Sequence, residues 1–144
     1  MQGKITRRSF AKAGAAATLG LVAAQAVPAY AARPLGANDR IRLGFIGVAN
    51  RGGQLLDAFL THKDIEVVAL CDVNSTTLGK ANDKFAGGKA ETFGDFRKIV
   101  DHQGIDAVVI ATPDHWHAIQ SVDACQAGKD VYVEKPLSVT VHEG

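Results

Sequence analysis

The stretch that decides the fold is Ile41-Arg42-Leu43-Gly44-Phe45-Ile46-Gly47-Val48-Ala49-Asn50-Arg51-Gly52. Its apolar run ends in glycine, which predicts a strand over 41–47, and apolar residues at helical spacing follow over 53–60. The turn between them reads Gly-x-Ala-x-x-Gly, one residue away from the Gly-x-Gly-x-x-Gly fingerprint. Gly47 allows a tight turn, and Gly52 allows close packing of helix on strand. The helix N-terminus then offers N–H groups and partial positive charge to a pyrophosphate.

The residues inside this turn determine how a phosphate can approach. Ala49 stands in the place of the second glycine, so its methyl group faces the position where the backbone meets a pyrophosphate. We therefore expect a slightly displaced ligand. The guanidinium of Arg51 could assist phosphate binding. The predicted phosphate-binding turn consists of Gly47, Ala49, Asn50, Arg51 and Gly52.

A second apolar run, 65–71, is followed directly by Asp72, twenty residues past Gly52. A carboxylate at this place in a strand–turn–helix–strand unit accepts hydrogen bonds from the adenosine ribose hydroxyls and repels a 2′-phosphate. The alternative is that Asp72 caps the helix beginning near Asn74. The order of the elements predicts a dinucleotide site with NAD preferred to NADP.

The rest of the sequence continues the alternation of strands and helices. Alternating elements of this kind predict right-handed crossovers and a doubly wound parallel sheet of order 3-2-1-4-5, a three-layer α/β/α Rossmann-type fold. Residues 139–143 are expected to open another helix, and the sequence is expected to continue into a C-terminal domain. The predicted elements are helix 76–85, strand 91–93, helix 95–102, strand 107–111, helix 115–126 ending at Gly128, and strand 131–133.

Two further segments follow strands four and five, at the carboxyl ends where ligands bind in such sheets. They are Ala111-Thr112-Pro113-Asp114-His115-Trp116-His117 and Val133-Glu134-Lys135-Pro136. With the fingerprint, the Cys71-Asp72 strand end and Ala-Gly-Lys before the last strand, 41–144 resembles the glucose-fructose oxidoreductase/inositol dehydrogenase/MocA family. Asp114 and Asp130 replace residues that are commoner there, an Asn and a His.

The resemblance implies roles for residues in these two segments. Thr112 and Pro113 would line the cofactor cleft, and His117 would begin the following helix. Glu134 and Lys135 would lie at the nicotinamide end, with Lys135 close to the substrate hydroxyl as the candidate catalytic residue. Pro136 is a candidate for a cis peptide bond.

Four side chains here have alternative interpretations. A lysine at a strand's carboxyl end can stabilise an alkoxide or tune a proton transfer, but Lys135 could also be a solvated surface charge. Trp116 could stack on the cofactor or cover the sheet edge. His115 and His117 are two residues apart, do not share a helix face and have no accompanying ligands, so no metal site is predicted.

These features predict the nucleotide-binding domain of an enzyme that transfers hydride between NAD and a sugar, polyol or related alcohol. The resemblance also implies an alternative. Some relatives with a His-Trp-His-like loop use bound NAD for a redox-neutral oxidation, elimination and rehydration of a glycoside. The third hypothesis is a non-catalytic NAD-binding fragment. The full-length form is expected to be a homo-oligomer.

The first 31 residues predict an export signal. Thr6-Arg7-Arg8-Ser9-Phe10-Ala11-Lys12 resembles the twin-arginine consensus, and a weakly apolar Ala-rich stretch and Ala29-Tyr30-Ala31 follow it. The apolar stretch is short for a membrane anchor, the alternative interpretation. We predict a signal peptide at 1–31, a linker at 32–40, the Rossmann domain at 41–144, and a periplasmic or extracellular protein that uses the twin-arginine machinery.

Charge and cysteines exclude some other functions. Residues 32–144 carry 12 Lys and Arg against 15 Asp and Glu, a net charge of −3, so nucleic acid is not an expected partner. Cys71 and Cys125 stand 54 positions apart in apolar runs. Both are expected to be buried free thiols; the alternative is a disulfide.

Overall fold

The computed structural model describes residues 40–144. The predicted export signal therefore lies outside the described residues, as does all of the predicted linker except Arg40. Within the described residues, five strands and four helices alternate. They are β1 (Ile41–Ile46), α1 (Asn50–Phe59), β2 (Ile65–Cys71), α2 (Ser75–Ala86), β3 (Glu91–Phe93), α3 (Arg97–Val100), β4 (Ala107–Ile110), α4 (His117–Gln126) and β5 (Asp130–Val133), with a 3-10 turn (Asp114–Trp116) before α4.

The five strands form one parallel sheet in the order β3-β2-β1-β4-β5. The predicted topology is confirmed. The chain winds outward from β1 in both directions, so the crevice between β1 and β4 is the topological switch point, where doubly wound sheets bind ligands.

Side chains of β1 alternate between two separate cores. Leu43 and Phe45 pack with α1 and α2 on one face of the sheet. Ile46 packs on the other face with residues of α3 and α4, among them Ile99 and Ala124. Burial on both faces explains why β1, β2 and β4 are nearly continuous apolar runs, as parallel strands generally are.

Several boundaries differ from the sequence-based prediction. The first helix was predicted to begin at residue 53 but begins at Asn50, within the fingerprint. The turn after β1 is therefore shorter than the spacing of its two glycines suggests. The helix predicted over 95–102 shortens to Arg97–Val100, although Phe96, Ile99 and Val100 are buried as expected. The helix predicted from His115 starts as a 3-10 turn.

The end of the described chain also differs. No helix forms over 139–143; Thr140 instead accepts hydrogen bonds from the N–H groups of Glu143 and Gly144 in a single turn. Within residues 40–144, none of the helices combines the length and the apolar composition that crossing a bilayer requires.

Candidate functional site

Two adjoining clefts open at the carboxyl ends of the strands. The first, here the β2-side cleft, has a volume of about 430 Å³ and lies over the ends of β1, β2 and β4. The second, the β5-side cleft, has a volume of about 540 Å³ and lies between the start of α1 and the ends of β4 and β5. Thr112 lines both clefts, so together they form a path across the switch point.

The two fingerprint glycines are required by close backbone contacts. Gly47 has a positive φ of 82°, and a Cβ atom there would lie 2.8 Å from the Ala111 carbonyl oxygen. A Cβ atom on Gly52 would overlap the carbonyl oxygen of Gly47. The N–H of Gly47 donates to the Cys71 carbonyl at 2.8 Å, which fixes the turn against β2. The start of α1 is thus held close over the end of β1.

The N-terminus of α1 is open to an anion. Ala49 is the N-cap residue, and its side chain accepts no hydrogen bond from the first turn, which contains no acidic residue. Ala49, Asn50 and Arg51 are exposed. A helix start without a capping side chain leaves N–H groups for a ligand oxygen, so a diphosphate fits this position.

Asp72 joins the fingerprint turn to the end of β2. Its Oδ2 accepts a hydrogen bond from the Val48 N–H at 3.0 Å, and its Oδ1 accepts one from the Asn74 N–H at 2.9 Å. The helix cap is Asn74 itself, whose Oδ1 accepts from the N–H groups of Thr76 and Thr77. An ionised carboxylate offers about four acceptor positions. Asp72 therefore retains acceptor capacity for ribose hydroxyls at the rim of the β2-side cleft.

Both cysteines are free thiols, so the alternative of a disulfide is wrong. Cys71 is buried beneath the β2-side cleft, where burial, with Asp72 and Asp95 nearby, raises the pKa of its thiol to about 12. Cys125 is also a free thiol, but it is exposed. The prediction that it is buried was wrong, because it lies on the outer face of α4, which the apolar run alone does not identify.

A buried glutamine that the sequence analysis missed supports the β4 side of the cleft. Gln120 is 3% exposed, lines the β2-side cleft, and accepts a hydrogen bond from the Thr112 hydroxyl at 2.8 Å. Pro113 and Trp116 line the same cleft, and the Trp116 ring lies 6.2 Å from that of Phe96. Gln120 lies four residues after Trp116, a spacing that places two residues on the same helix face. This spacing is the one signal in the sequence that could have identified Gln120.

An ion pair spans the β5-side cleft. Nε of Arg51 donates to Glu134 Oε1 at 2.7 Å, and its Nη1 donates to Gln54 Oε1 at 2.9 Å. The hydrogen bond from Arg51 holds the pKa of the Glu134 carboxyl below its ordinary value. The Arg51 guanidinium is thus engaged by Glu134 and Gln54. Lys135 is exposed at the same cleft, and within residues 40–144 its ammonium group has no hydrogen-bond partner.

The imidazole of His117 connects the loops after β4 and β5. The residue is 2% exposed; its Nδ1 lies 2.7 Å from the Pro136 carbonyl oxygen and its Nε2 lies 2.8 Å from that of Thr112. Neither ring nitrogen is free for a ligand. The Lys135–Pro136 peptide bond is cis, as predicted. No group of three metal-ligating side chains occurs in residues 40–144.

The chain is similar in sequence and in structure to proteins of known activity. The chain is 34% identical to a Glycosyl hydrolase family 109 protein of Shewanella baltica and 32% identical to an Alpha-N-acetylgalactosaminidase of Shewanella oneidensis, in each case over 96% of this chain and 35% of the relative. A scyllo-inositol dehydrogenase from Lactobacillus casei, solved with NAD(H) and scyllo-inositol, superimposes with a TM-score of 0.64 at 31% identity, over 73% of this chain and 31% of that one.

The chain thus spans about a third of the length of the proteins it matches. The model of one family, described as "Oxidoreductase family, NAD-binding Rossmann fold", matches residues 41–144. The open helix N-terminus, the Asp72 carboxylate and the paired clefts are the features an NAD-binding domain needs. The chain belongs to this GFO_IDH_MocA family of oxidoreductases and contains its NAD-binding domain.

Proposed function

We propose that this domain holds NAD as the hydride carrier of an enzyme acting on a CH–OH group of a sugar, polyol or related compound. The observation that carries the proposal is that the two clefts adjoin at Thr112, with the Asp72 carboxylate in one and the Lys135 ammonium in the other. A dinucleotide is elongated, with a ribose to anchor at one end and a reactive ring at the other, and this path provides for both.

The residues divide by the part of the dinucleotide that they would hold. Asp72 would accept from the adenosine ribose, the start of α1 would bind the diphosphate, and Thr112, Pro113 and Trp116 would line the wall between the halves. When bound, NAD supplies the acceptor for the hydride. Lys135 would lie beside the reacting hydroxyl, where its ammonium can donate a hydrogen bond and stabilise negative charge developing on the oxygen.

A second candidate is redox-neutral cleavage of a glycoside with retained NAD. The names of the curated relatives favour it, since they are a glycosyl hydrolase and an α-N-acetylgalactosaminidase matched over nearly the whole chain. The chemistry at Lys135 would be shared, because oxidation of a sugar hydroxyl also begins that route. The two candidates differ in the fate of the hydride. In the dehydrogenase it stays on the cofactor as NADH, and in the glycosidase it returns to the sugar.

One assay separates these candidates. The full-length protein is incubated with free sugars and polyols, and separately with aryl glycosides that include an α-N-acetylgalactosaminide, while NADH absorbance and released phenol are followed. NADH that accumulates with a free sugar supports the dehydrogenase. Phenol release without net NADH supports the glycosidase. Bound NAD with neither activity across the panel would contradict both.

The proposal includes export in folded form through the twin-arginine machinery, supported by Arg7 and Arg8 in the N-terminal motif. An exported enzyme has no dependable pool of free NAD, so it must load the cofactor in the cytoplasm and retain it. The protein purified from the periplasm should carry NAD through dialysis. Arg7→Lys with Arg8→Lys should leave a loaded precursor in the cytoplasm; unchanged export would contradict this part of the proposal.

A further inference from the structure

The side chain of Gln120, on α4, presents an unpaired donor to the β2-side cleft. The residue is 3% exposed and lines the cleft, and its Oε1 accepts a hydrogen bond from the Thr112 hydroxyl at 2.8 Å. The amide nitrogen carries two N–H donors, and within residues 40–144 it has no hydrogen-bond partner. In that part of the chain, Ser121 Oγ is the one fully enclosed side-chain atom without a partner, so the Gln120 nitrogen reaches the surface of the cleft.

The hydrogen bond between these two side chains fixes what Thr112 can offer to a ligand. A hydroxyl has one proton, and here that proton points to Gln120 Oε1, so Thr112 Oγ1 can only accept from a group in the cleft. The hydroxyl could donate to a ligand only by leaving the buried Oε1 without its donor, which is unfavourable. The pair thus presents an acceptor beside two donors.

The charged side chains that line this cleft already have partners. Asp72 accepts from two backbone N–H groups, and Asp95 accepts from Arg97 Nη1 at 3.2 Å. The side chains of Asp95 and Arg97 are more than half exposed, whereas Gln120 is buried. A hydrogen bond from the Gln120 amide is therefore better protected from competition by water. A ligand that enters without an acceptor at this place would leave the amide unsatisfied.

The walls of the β2-side cleft suit a flat aromatic ring. Val73, Phe96, Pro113 and Trp116 line it, and the rings of Phe96 and Trp116 are 6.2 Å apart. A purine has two faces that pack on such groups and an edge that carries hydrogen-bonding groups. The edge of adenine has an amino donor at position 6 beside the acceptor N7, whereas a 6-oxo purine has a carbonyl acceptor there. The adenine edge complements an acceptor beside donors.

We propose that Gln120 and Thr112 form a purine-recognition pair, in which the Gln120 amide donates to a ring nitrogen of adenine and Thr112 Oγ1 accepts from its 6-amino group. The pair would select adenine against a purine with a carbonyl at position 6. The inference rests on the proposed function, which places the adenosine ribose of NAD at Asp72 in the same cleft. It assigns neither residue a part in the hydride transfer.

The test compares NAD with nicotinamide hypoxanthine dinucleotide, in which a carbonyl replaces the 6-amino group. The full-length protein is equilibrated with an equimolar excess of the two until the bound composition is constant. The bound nucleotides are then released by denaturation and quantified. Both compounds carry the same riboses, diphosphate and nicotinamide, so the ratio of bound NAD to bound analogue reports the purine alone.

We expect the unsubstituted protein to prefer NAD by about tenfold or more, because the carbonyl of the analogue would lose a hydrogen bond and face another acceptor. Gln120→Met keeps the length of the side chain and frees the Thr112 hydroxyl to turn to either purine, so the ratio should fall to within about threefold of one. Ser121→Ala removes a neighbouring hydroxyl of α4 and should keep the preference.

A second pair of variants tests the other partner and decides the matter even where Gln120→Met does not fold. Thr112→Ser retains the hydroxyl and should retain the preference. Thr112→Val removes the hydroxyl with little change of shape, so the Gln120 amide can present either its oxygen or its nitrogen. The preference should then be lost, while NAD still binds through Asp72 and the start of α1.

Equal binding of the two dinucleotides by the unsubstituted protein would overturn the inference and leave the proposed function intact. A preference that persists in folded Gln120→Met or in Thr112→Val would also overturn it, as would a preference lost in Ser121→Ala. Binding of neither dinucleotide by the unsubstituted protein would refute the proposed function and this inference together.

Discussion

The two clefts adjoin at Thr112 but are lined by different kinds of residue. The β2-side cleft has a mainly apolar lining beside the closely packed fingerprint turn, and its charged residues are Asp72, Asp95 and Arg97. The β5-side cleft is lined mainly by charged side chains, Arg51, Asp114, Glu134 and Lys135, over the buried His117. We expect steric fit to dominate ligand binding in the first cleft and electrostatic interactions to dominate it in the second. The first should therefore respond most to added volume, and the second to pH and charge.

The largest effect is expected at the glycine contact of the β2-side cleft. The methyl group of Gly52→Ala would overlap the Gly47 carbonyl oxygen, so the fingerprint turn must shift. We expect the free energy of unfolding to fall by about 3 kcal/mol, with loss of nucleotide binding. Urea unfolding of the nucleotide-free protein measures this change.

The neighbouring glycine provides a matched control. In Gly53→Ala the nearest atom to the added methyl group is 3.8 Å away, and the residue is likewise helical. Alanine should therefore be neutral or stabilise by up to about 1 kcal/mol. Equal stability of the two variants would show that steric contact does not define this half of the path.

The next effect lies at the β5-side cleft and concerns chemistry. Lys135→Met keeps the aliphatic part of the side chain and removes the ammonium group, so nucleotide binding should persist while kcat falls about 100-fold. Steady-state kinetics with the substrate found in the activity assay measure kcat. The content of bound nucleotide measures nucleotide binding. Lys84→Met, which removes an exposed ion pair with Asp57, is the control. An unchanged kcat would remove Lys135 from the mechanism.

The same difference between the clefts explains what could be predicted from sequence. The fingerprint turn and Asp72 of the β2-side cleft are local features: strand, glycines, helix and the acid that follows β2 all lie within residues 41–72. Steric rules for a turn act over a few residues, so the sequence alone indicates them. The strand order followed from the alternation of elements, because right-handed crossovers leave few arrangements.

The β5-side features are non-local, and the sequence analysis missed most of them. Arg51 and Glu134 are 83 positions apart, and His117 reaches the Pro136 carbonyl 19 positions away. No periodicity reports such contacts, which arise only when the sheet brings strand ends together. The expected roles of residues 117, 134 and 135 came from the family resemblance. The contacts of His117 and Glu134 with distant parts of the chain could be identified only from the structure. Gln120 was missed because a buried glutamine in a helix has no distinctive pattern.

A smaller effect is expected for Asp72, the one charge of the β2-side cleft that we assign to ribose recognition. Asp72→Ala removes the carboxylate that would face a 2′-phosphate, so the preference for NAD over NADP should narrow by about tenfold or more. Competition between the two nucleotides measures the preference directly. Asn74→Ala removes the cap of α2, and should cost about 1 kcal/mol of stability without changing the preference. NADP bound more tightly than NAD by the unsubstituted protein would refute the assignment.

The smallest effect should come from Arg51, and it depends on pH. Its hydrogen bond holds the pKa of Glu134 down, so the carboxylate remains charged at neutral pH and becomes neutral only when the pH falls through that lowered value. A charged Glu134 at the β5-side cleft attracts the positive ring of NAD, and a neutral one does not. The ratio of bound NAD to bound ADP-ribose should therefore fall at acid pH. In Arg51→Gln the fall should begin at a higher pH, because the pKa of Glu134 returns toward the ordinary value of 4.5. At pH 7 the ratio should change by no more than about threefold, as expected for an exposed ion pair.

Glu134→Gln should abolish the acid-side fall, and Lys84→Gln should leave it unchanged. An identical acid-side fall in Arg51→Gln and the unsubstituted protein would mean that the ion pair between Arg51 and Glu134 does not set the charge of this cleft, and the electrostatic contrast between the two clefts would then rest on Asp114 and Lys135.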